Sequence, residues 1–273
     1  MTASFATSET STTSELYAIE RGRGPLAVCL HGITANAHVF EPLMDALAGC
    51  LRVVALDQRG HGRSPKPRSG YSAADYSDDV KRFIKENRAL LIGHSLGARN
   101  ALVAAARFPE RVTAVIAIEF TPYIEPQVFD ELDARVAGGD RSFSSVDEIR
   151  AYLAHRYPRL PSDAVARRAQ HGYRKMGGAW RPLADPQAMG ETCRGLREDI
   201  VAVMKKIEVP ALLMRGEDSK LVSREAWAKT RALRPGIRAL EIADSDHYVH
   251  EEQPKAVAAA VLQFWDSIGG SKK

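Results

Sequence analysis

A serine held between two glycines, Gly93-His94-Ser95-Leu96-Gly97, stands where an apolar run ends and a helix-forming run begins. The preceding Ala89-Leu90-Leu91-Ile92 reads as a buried strand, and 98–108 reads as a helix. A strand that turns sharply into a helix through one serine lifts its Oγ to the top of a sheet, beside the free N–H groups of the helix start. The flanking glycines permit so tight a turn and so close an approach of other backbone. This unit constrains the chain to layers of helices on a sheet.

The rest of the chain agrees. Short apolar runs at 26–30, 51–56, 112–118, 211–214 and 237–242 read as further strands, and 40–48 and 72–87 read as helices between them. Strand and helix in alternation predict an α/β fold with a mostly parallel sheet and helices on both faces. The alternation breaks between 121 and 206, where helical stretches at 126–137, 145–157, 162–170 and 186–206 follow one another around a hairpin-like Gly177-Gly178 turn. Residues 15–120 and 207–268 are therefore expected to form the core, and 121–206 a helical cap over the ligand-binding edge of the sheet. The Ser/Thr-rich 1–14 reads as a disordered leader and 269–273 as a tail.

Composition narrows the partners. The net charge of +4 and pI near 9.0 come without a dense Lys/Arg block, so no nucleic acid is expected. No apolar run approaches bilayer length and no signal peptide is visible, so no membrane is expected and a reducing cytoplasm is the default. Cys29, Cys50 and Cys193 show neither a disulfide framework nor metal spacing. Cys29 and Cys50 are expected to be buried thiols. The expected partner is a small-molecule substrate, with no metal and no cofactor. Oligomeric state is not legible.

Acyl transfer from serine needs a base, a carboxylate to hold that base, and donors for the oxyanion. The base is predicted to be His247, which follows the last apolar run and would reach the same sheet edge as Ser95; His250 is the reserve. The oxyanion donors are predicted to be the N–H groups of Leu96, directly after the serine, and Ile33, in the loop after the first buried strand. His31 and His61 read as loop braces, and His94 is expected to point away from Oγ.

Together His31-Gly32, the Asp57-to-Ser64 turn, Gly93-to-Gly97 and His247 resemble the α/β-hydrolase superfamily over about 20–267. The resemblance implies an eight-stranded sheet with a helical cap. Many members carry the acid in a G-x-x-D pattern after the strand equivalent to 211–214, and Ser219 stands in that slot with Asp218 one place early. A minority carry it after the strand following the nucleophile helix, where this chain has Glu119. A carboxylate ending an apolar strand is costly unless paired, which favours Glu119; Asp218 stays open. Glutamate is a departure, since aspartate is usual there.

The cap is asymmetric in charge: from Arg150 to Arg181 eight basic residues face one acid, Asp163, and the stretch before it is acidic. Most of these charges are expected to pair across the two halves on a solvated surface. Several cap stretches, among them Ala134-Arg135-Val136 and His155-Arg156-Tyr157-Pro158, resemble a branch of the superfamily that hydrolyses an amide on a small dicarboxylate without a cofactor. That resemblance implies Arg135 and Arg156 gripping substrate carboxylates, with Tyr157 lining the pocket. A carboxylic ester as substrate, carbon–carbon hydrolysis on the same residues, and a ligand-binding module without turnover remain open readings.

Overall fold

The computed structural model describes residues 15–234 and 236–270; the leader 1–14 and the end of the tail, 271–273, lie outside the described residues. The strands in chain order are β1 (Ala18–Arg21), β2 (Leu26–Leu30), β3 (Arg52–Leu56), β4 (Ala89–His94), β5 (Val112–Ile118), β6 (Tyr173–Met176), β7 (Ala179–Pro182), β8 (Ala211–Gly216) and β9 (Arg238–Ile242). Seven form one sheet in the order β1-β3-β2-β4-β5-β8-β9, and β6 pairs with β7 as a separate hairpin. β1 is antiparallel to β3; the other pairings of the large sheet are parallel.

The large sheet thus has seven strands among the described residues, where the resemblance implied eight. One of the seven, β1, escaped the sequence reading because it is a four-residue edge strand ending in half-buried Glu20 and Arg21, too short and too polar for an apolar run.

The central strands are buried on both faces, which is why they read as unbroken apolar runs. Side chains alternate across the sheet. Ala27, Cys29, Val53, Ala55, Leu90 and Ile92 pack toward the helices Glu41–Leu47 and Pro254–Ser267. Val28, Leu30, Val54, Leu56 and Leu91 pack toward Ala73–Ile84, Leu96–Arg107 and Arg224–Leu233. Cys29 is buried as expected, but Cys50 is exposed: it falls in the turn between the helix Glu41–Leu47 and β3 rather than in the apolar run that follows.

After β2 the chain crosses to β3 on one side, and after β4 to β5 on the other. Loops leaving the C-terminal ends of these two neighbours therefore diverge, opening the crevice in which such sheets hold ligands.

Between β5 and β8 lie the helices Pro126–Ala137, Val146–Arg156, Ser162–His171, Pro186–Leu196 and Val201–Lys205 with the β6–β7 hairpin. The hairpin turns on Gly177 and Gly178, both at positive φ. The single helix expected over 186–206 is broken at Arg197–Ile200. There the Gly195 carbonyl and Glu198 carboxylate receive Nη2 of Arg99, a cation almost wholly buried in the core. Asp199 then accepts Val201 N–H where a new helix begins.

The basic half of this insertion pairs chiefly with core acids rather than with its own acidic half. Arg159 meets Asp218 and Glu252. Arg168, packed against the rings of both Tyr157 and Tyr248, is bidentate to the buried Glu251. Removing Arg168 leaves the buried Glu251 with only the longer contact to Arg167 at 3.7 Å, so Arg168→Met is expected to cost about 3 kcal/mol. Adding Glu251→Leu is expected to restore most of it, read from urea denaturation midpoints; equal midpoints for wild type and Arg168→Met would contradict this strut.

Candidate active site

β4 passes into the helix Leu96–Arg107 through Ser95 alone, which sits at φ 52°, ψ −114°. That region costs a non-glycine residue about 1–3 kcal/mol, and local bonds hold it: Ser95 N–H donates to Ile118 O (2.9 Å) and its carbonyl accepts from Arg99 N–H (3.1 Å). The glycines serve close approach. A Cβ on Gly97 would run into the Leu30 carbonyl, and one on Gly93 into the backbone of Gly97.

A second strand ends the same way. Glu119 follows β5 directly at φ 56°, with its N–H donated to Met214 O (2.8 Å). Its side chain is wholly buried, and three donors converge on the carboxylate. Gly216 N–H reaches Oε1 at 2.7 Å, the Ser219 hydroxyl reaches Oε2 at 2.7 Å, and His247 Nδ1 lies 3.3 Å from Oε2. Asp218, the alternative acid, is turned outward instead, half exposed and paired with Arg159 at 2.9 Å. Its backbone N–H bonds Ser245 O, which fixes the turn so that residue 219, not 218, faces inward.

His247 lies between β9 and the helix Val249–Glu252. Glu252 anchors its loop from both sides, accepting Asp246 N–H (2.9 Å) and Tyr248 N–H (3.1 Å). The His94 ring, which lines the pocket, donates Nε2–H to the His247 carbonyl (2.8 Å). His250, the reserve base, is buried between Phe40 and His94 with neither nitrogen partnered among the described residues, and does not line the pocket. His31 and His61 are braces: His31 Nε2 accepts Gln58 N–H (3.0 Å) and Nδ1 bonds Gly32 O (2.8 Å), while His61 packs edge-on against His31.

Ser95 and His247 line one pocket together with Ile33, Leu96 and Glu119. Leu96 opens its helix, so its N–H belongs to the set without intrahelical acceptors. Ile33 lies in the turn closed by Ala35 N–H to Gly32 O. Neither N–H finds an acceptor among the described residues. Both are available to a developing anion.

The opposite wall comes from the insertion: Ile124, Val128, Phe129, Leu132, Arg135 and Val136. Val128, Leu132 and Arg135 share one face of the helix Pro126–Ala137 at a spacing of four and three. Arg135 makes no ion pair among the described residues. Arg156 lies in the adjoining outer pocket with Arg135 and His247, but its nitrogens are engaged: Nε on Tyr157 OH (3.1 Å), Nη1 on Tyr152 OH (2.7 Å) and Nη2 on Arg135 O (2.7 Å). No carboxylate among the described residues pairs with it. Tyr157, buried, lines this outer pocket too. Burial pushes its phenol up, but the guanidiniums of Arg168, Arg156 and Arg135 more than offset this and lower it. The outer pocket carries Arg135, Arg156, Arg159 and Lys220 against Glu131, Asp246 and Glu252.

His38, Glu41 and His171 are near enough to share an ion, but none of them lines the Ser95 pocket. The two rings stack at 3.7 Å and 10°, a geometry that directs their in-plane lone pairs to different points.

The sequence profile for the alpha/beta hydrolase fold matches residues 25–254. The chain belongs to this family. This α/β hydrolase is 48% identical over 251 residues to 2-(acetamidomethylene)succinate hydrolase of Mesorhizobium japonicum, covering 91% of this chain and 90% of that protein. The crystal structure of E-2-(acetamidomethylene)succinate hydrolase superposes with a TM-score of 0.93 at 45% identity, covering 96% of this chain and all of that one. An esterase of Mycobacterium tuberculosis is 27% identical, covering 90% of this chain and 84% of its own. The protein is a hydrolase, and no helix among the described residues of this α/β hydrolase is long and apolar enough to cross a membrane.

Sequence reasoning missed the apolar wall of Val128 and Leu132, although their helical spacing signals it. It also missed the contacts of Arg168 and Ser219. Nothing local distinguishes Arg168 from the other basic residues of its stretch.

Proposed function

We propose that this hydrolase cleaves the amide of a small dicarboxylate, 2-(acetamidomethylene)succinate or a near analogue, through an acyl-enzyme on Ser95. The observation that carries the reading is the pairing of the Ser95–Glu119–His247 pocket with a mouth in which two of three arginines, Arg135 and Arg156, lack carboxylate partners among the described residues. The near-complete likeness to a hydrolase named for that substrate supports it.

In this reading Ser95 Oγ attacks the acyl carbon while His247 Nε2 takes its proton. Glu119 holds the imidazole by Nδ1 and offsets the charge of the imidazolium. The tetrahedral oxyanion is received by the N–H groups of Ile33 and Leu96. His247 then protonates the departing nitrogen, leaving the acyl group on Ser95. Water, deprotonated by His247, attacks this ester and releases the acid, acetate for an acetamido substrate. Residues 121–206 act as the cap, which supplies the apolar wall for the acyl group and the cations for the carboxylates.

The test is acetate release from 2-(acetamidomethylene)succinate. Turnover by wild type and none by Ser95→Ala supports the reading; wild-type protein inert on this and related N-acyl dicarboxylates overturns it. The two arginines are expected to separate. Arg135→Ala is expected to raise KM for dicarboxylates about tenfold or more, the size of a lost charged hydrogen bond, and to spare a neutral ester of the same acyl group. Arg156→Ala is expected to lower Tm as well, since its guanidinium ties Tyr152 and Tyr157 to the helix of Arg135. Equal loss on neutral and anionic substrates would remove the anion site.

A further inference from the structure

We infer that Ser219 is a positioning residue: its hydroxyl fixes the Glu119 carboxylate in the place where it meets His247. The inference rests on the triad reading given above.

Glu119 carries one more methylene than the aspartate usual at this position, and with it one more rotatable bond. A carboxylate on that longer stem has more orientations in which Oε2 misses the imidazole. Burial alone does not choose among them. Two donors from the turn after β8 do: Gly216 N–H on Oε1 and Ser219 Oγ–H on Oε2, both at 2.7 Å. Together they define the plane of the carboxylate, and Oε2 is left 3.3 Å from His247 Nδ1.

The proton of Ser219 has little choice of direction. Its oxygen accepts Val222 N–H at 3.0 Å, so the remaining hydroxyl hydrogen points to Oε2. The turn itself is held by Arg215, fully buried beneath it. Arg215 donates Nε to Val222 O (2.7 Å), Nη2 to Ser219 O (3.1 Å) and Nη1 to Glu217 O (3.0 Å), and pairs with Glu241 at 3.0 Å. Three carbonyls of one short turn are thus tied to a single planar cation. The hydroxyl is presented on a rigid element rather than on a loose loop, which is the condition for preorganising a reacting group.

Such a residue acts through His247 in both half-reactions and touches no substrate. Ser219→Ala is therefore expected to lower kcat by roughly tenfold to a hundredfold, the range for losing one hydrogen bond to a buried charged group, with KM within about twofold. Acylation and deacylation are expected to slow together. Ser219→Thr, which keeps the hydroxyl, is expected to retain most of the activity. The structural control is the low-field proton resonance of the His247 Nδ1–H···Glu119 bond, assigned by its loss in His247→Ala. It is expected to move in Ser219→Ala and to stay in Ser219→Thr.

If Ser219→Ala leaves kcat and the resonance unchanged while Glu119→Gln is inactive, the positioning role is overturned and the triad reading stands. If Glu119→Gln is also unchanged, the triad reading itself fails. Loss of Tm in Ser219→Ala with kcat per folded molecule intact would overturn the positioning role as well, leaving only a stabilising contact.

Discussion

Glu119→Gln is expected to lower kcat by about ten-thousandfold, whereas Asp218→Asn stays within about twofold of wild type. The isosteric amide keeps the size and burial of the side chain but changes what it offers. With its oxygen on Gly216 N–H, the amide presents NH₂ to the Ser219 hydroxyl and to His247 Nδ1. A donor facing Nδ1 forces that nitrogen to accept, so the ring proton moves to Nε2, the atom that takes the proton of Ser95 in the proposed mechanism. Two further penalties follow: the Ser219 hydroxyl loses its acceptor, and the imidazolium formed during attack loses its countercharge. Asp218 faces solvent and Arg159, 2.9 Å away, where its removal costs a surface ion pair worth about 1 kcal/mol or less. The measurement is kcat on the dicarboxylate amide for both variants; the reverse ranking would move the acid to Asp218.

The second large effect is on stability. His31, His61, His94 and His250 are all buried, and His94 also lines the pocket. Burial first, and then neighbouring imidazoles and Arg168, hold His31, His94 and His250 well below the ordinary range. Burial lowers His61 to about 4, against opposing backbone carbonyls and with a further push from Lys66. In the unfolded chain each titrates near 6.5. Above that value neither state binds the proton and the four contribute nothing that changes with pH. Below it the unfolded state binds protons that the folded state refuses, so stability falls as pH falls toward the folded values. Each of the four pulls stability in the same direction, so the loss deepens as the pH falls below about 6.5. Domains of this kind hold about 5–15 kcal/mol in all, so a marked fall in stability is expected between about pH 7 and pH 5. Urea midpoints followed by circular dichroism across that interval test it. His250→Leu, which removes two unpartnered nitrogens, is expected to flatten the dependence by one proton. A midpoint that does not change between about pH 7 and pH 5 would contradict the buried neutral cluster.

Much of the fold was legible because the large sheet is buried on both faces, so its interior strands spell themselves as apolar runs. The elbow was legible for a different reason. Glycines at 93 and 97 are demanded by backbone contact, and a demand of that kind leaves a fixed spacing. What the sequence hid were features set by distant partners. The break after Leu196 answers to Arg99, nearly a hundred residues earlier. β1 is too short to show a period. The charge asymmetry of the insertion was visible, but not that its arginines reach across to Glu251, Glu252 and Asp218 in the core. Glu119 could be picked out as a costly carboxylate at a strand end, while the donors that offset that cost come from a turn about a hundred residues downstream.

The central claim is that Ser95 is the nucleophile, and covalent trapping tests it most directly. Wild-type protein treated with a serine-directed fluorophosphonate is expected to gain one adduct, mapped by peptide mass to Ser95, with activity lost in proportion to labelling. His247→Ala is expected to label far more slowly and Ser95→Ala not at all. Full inactivation with the adduct on another residue, or full activity in a protein labelled at Ser95, would contradict the account.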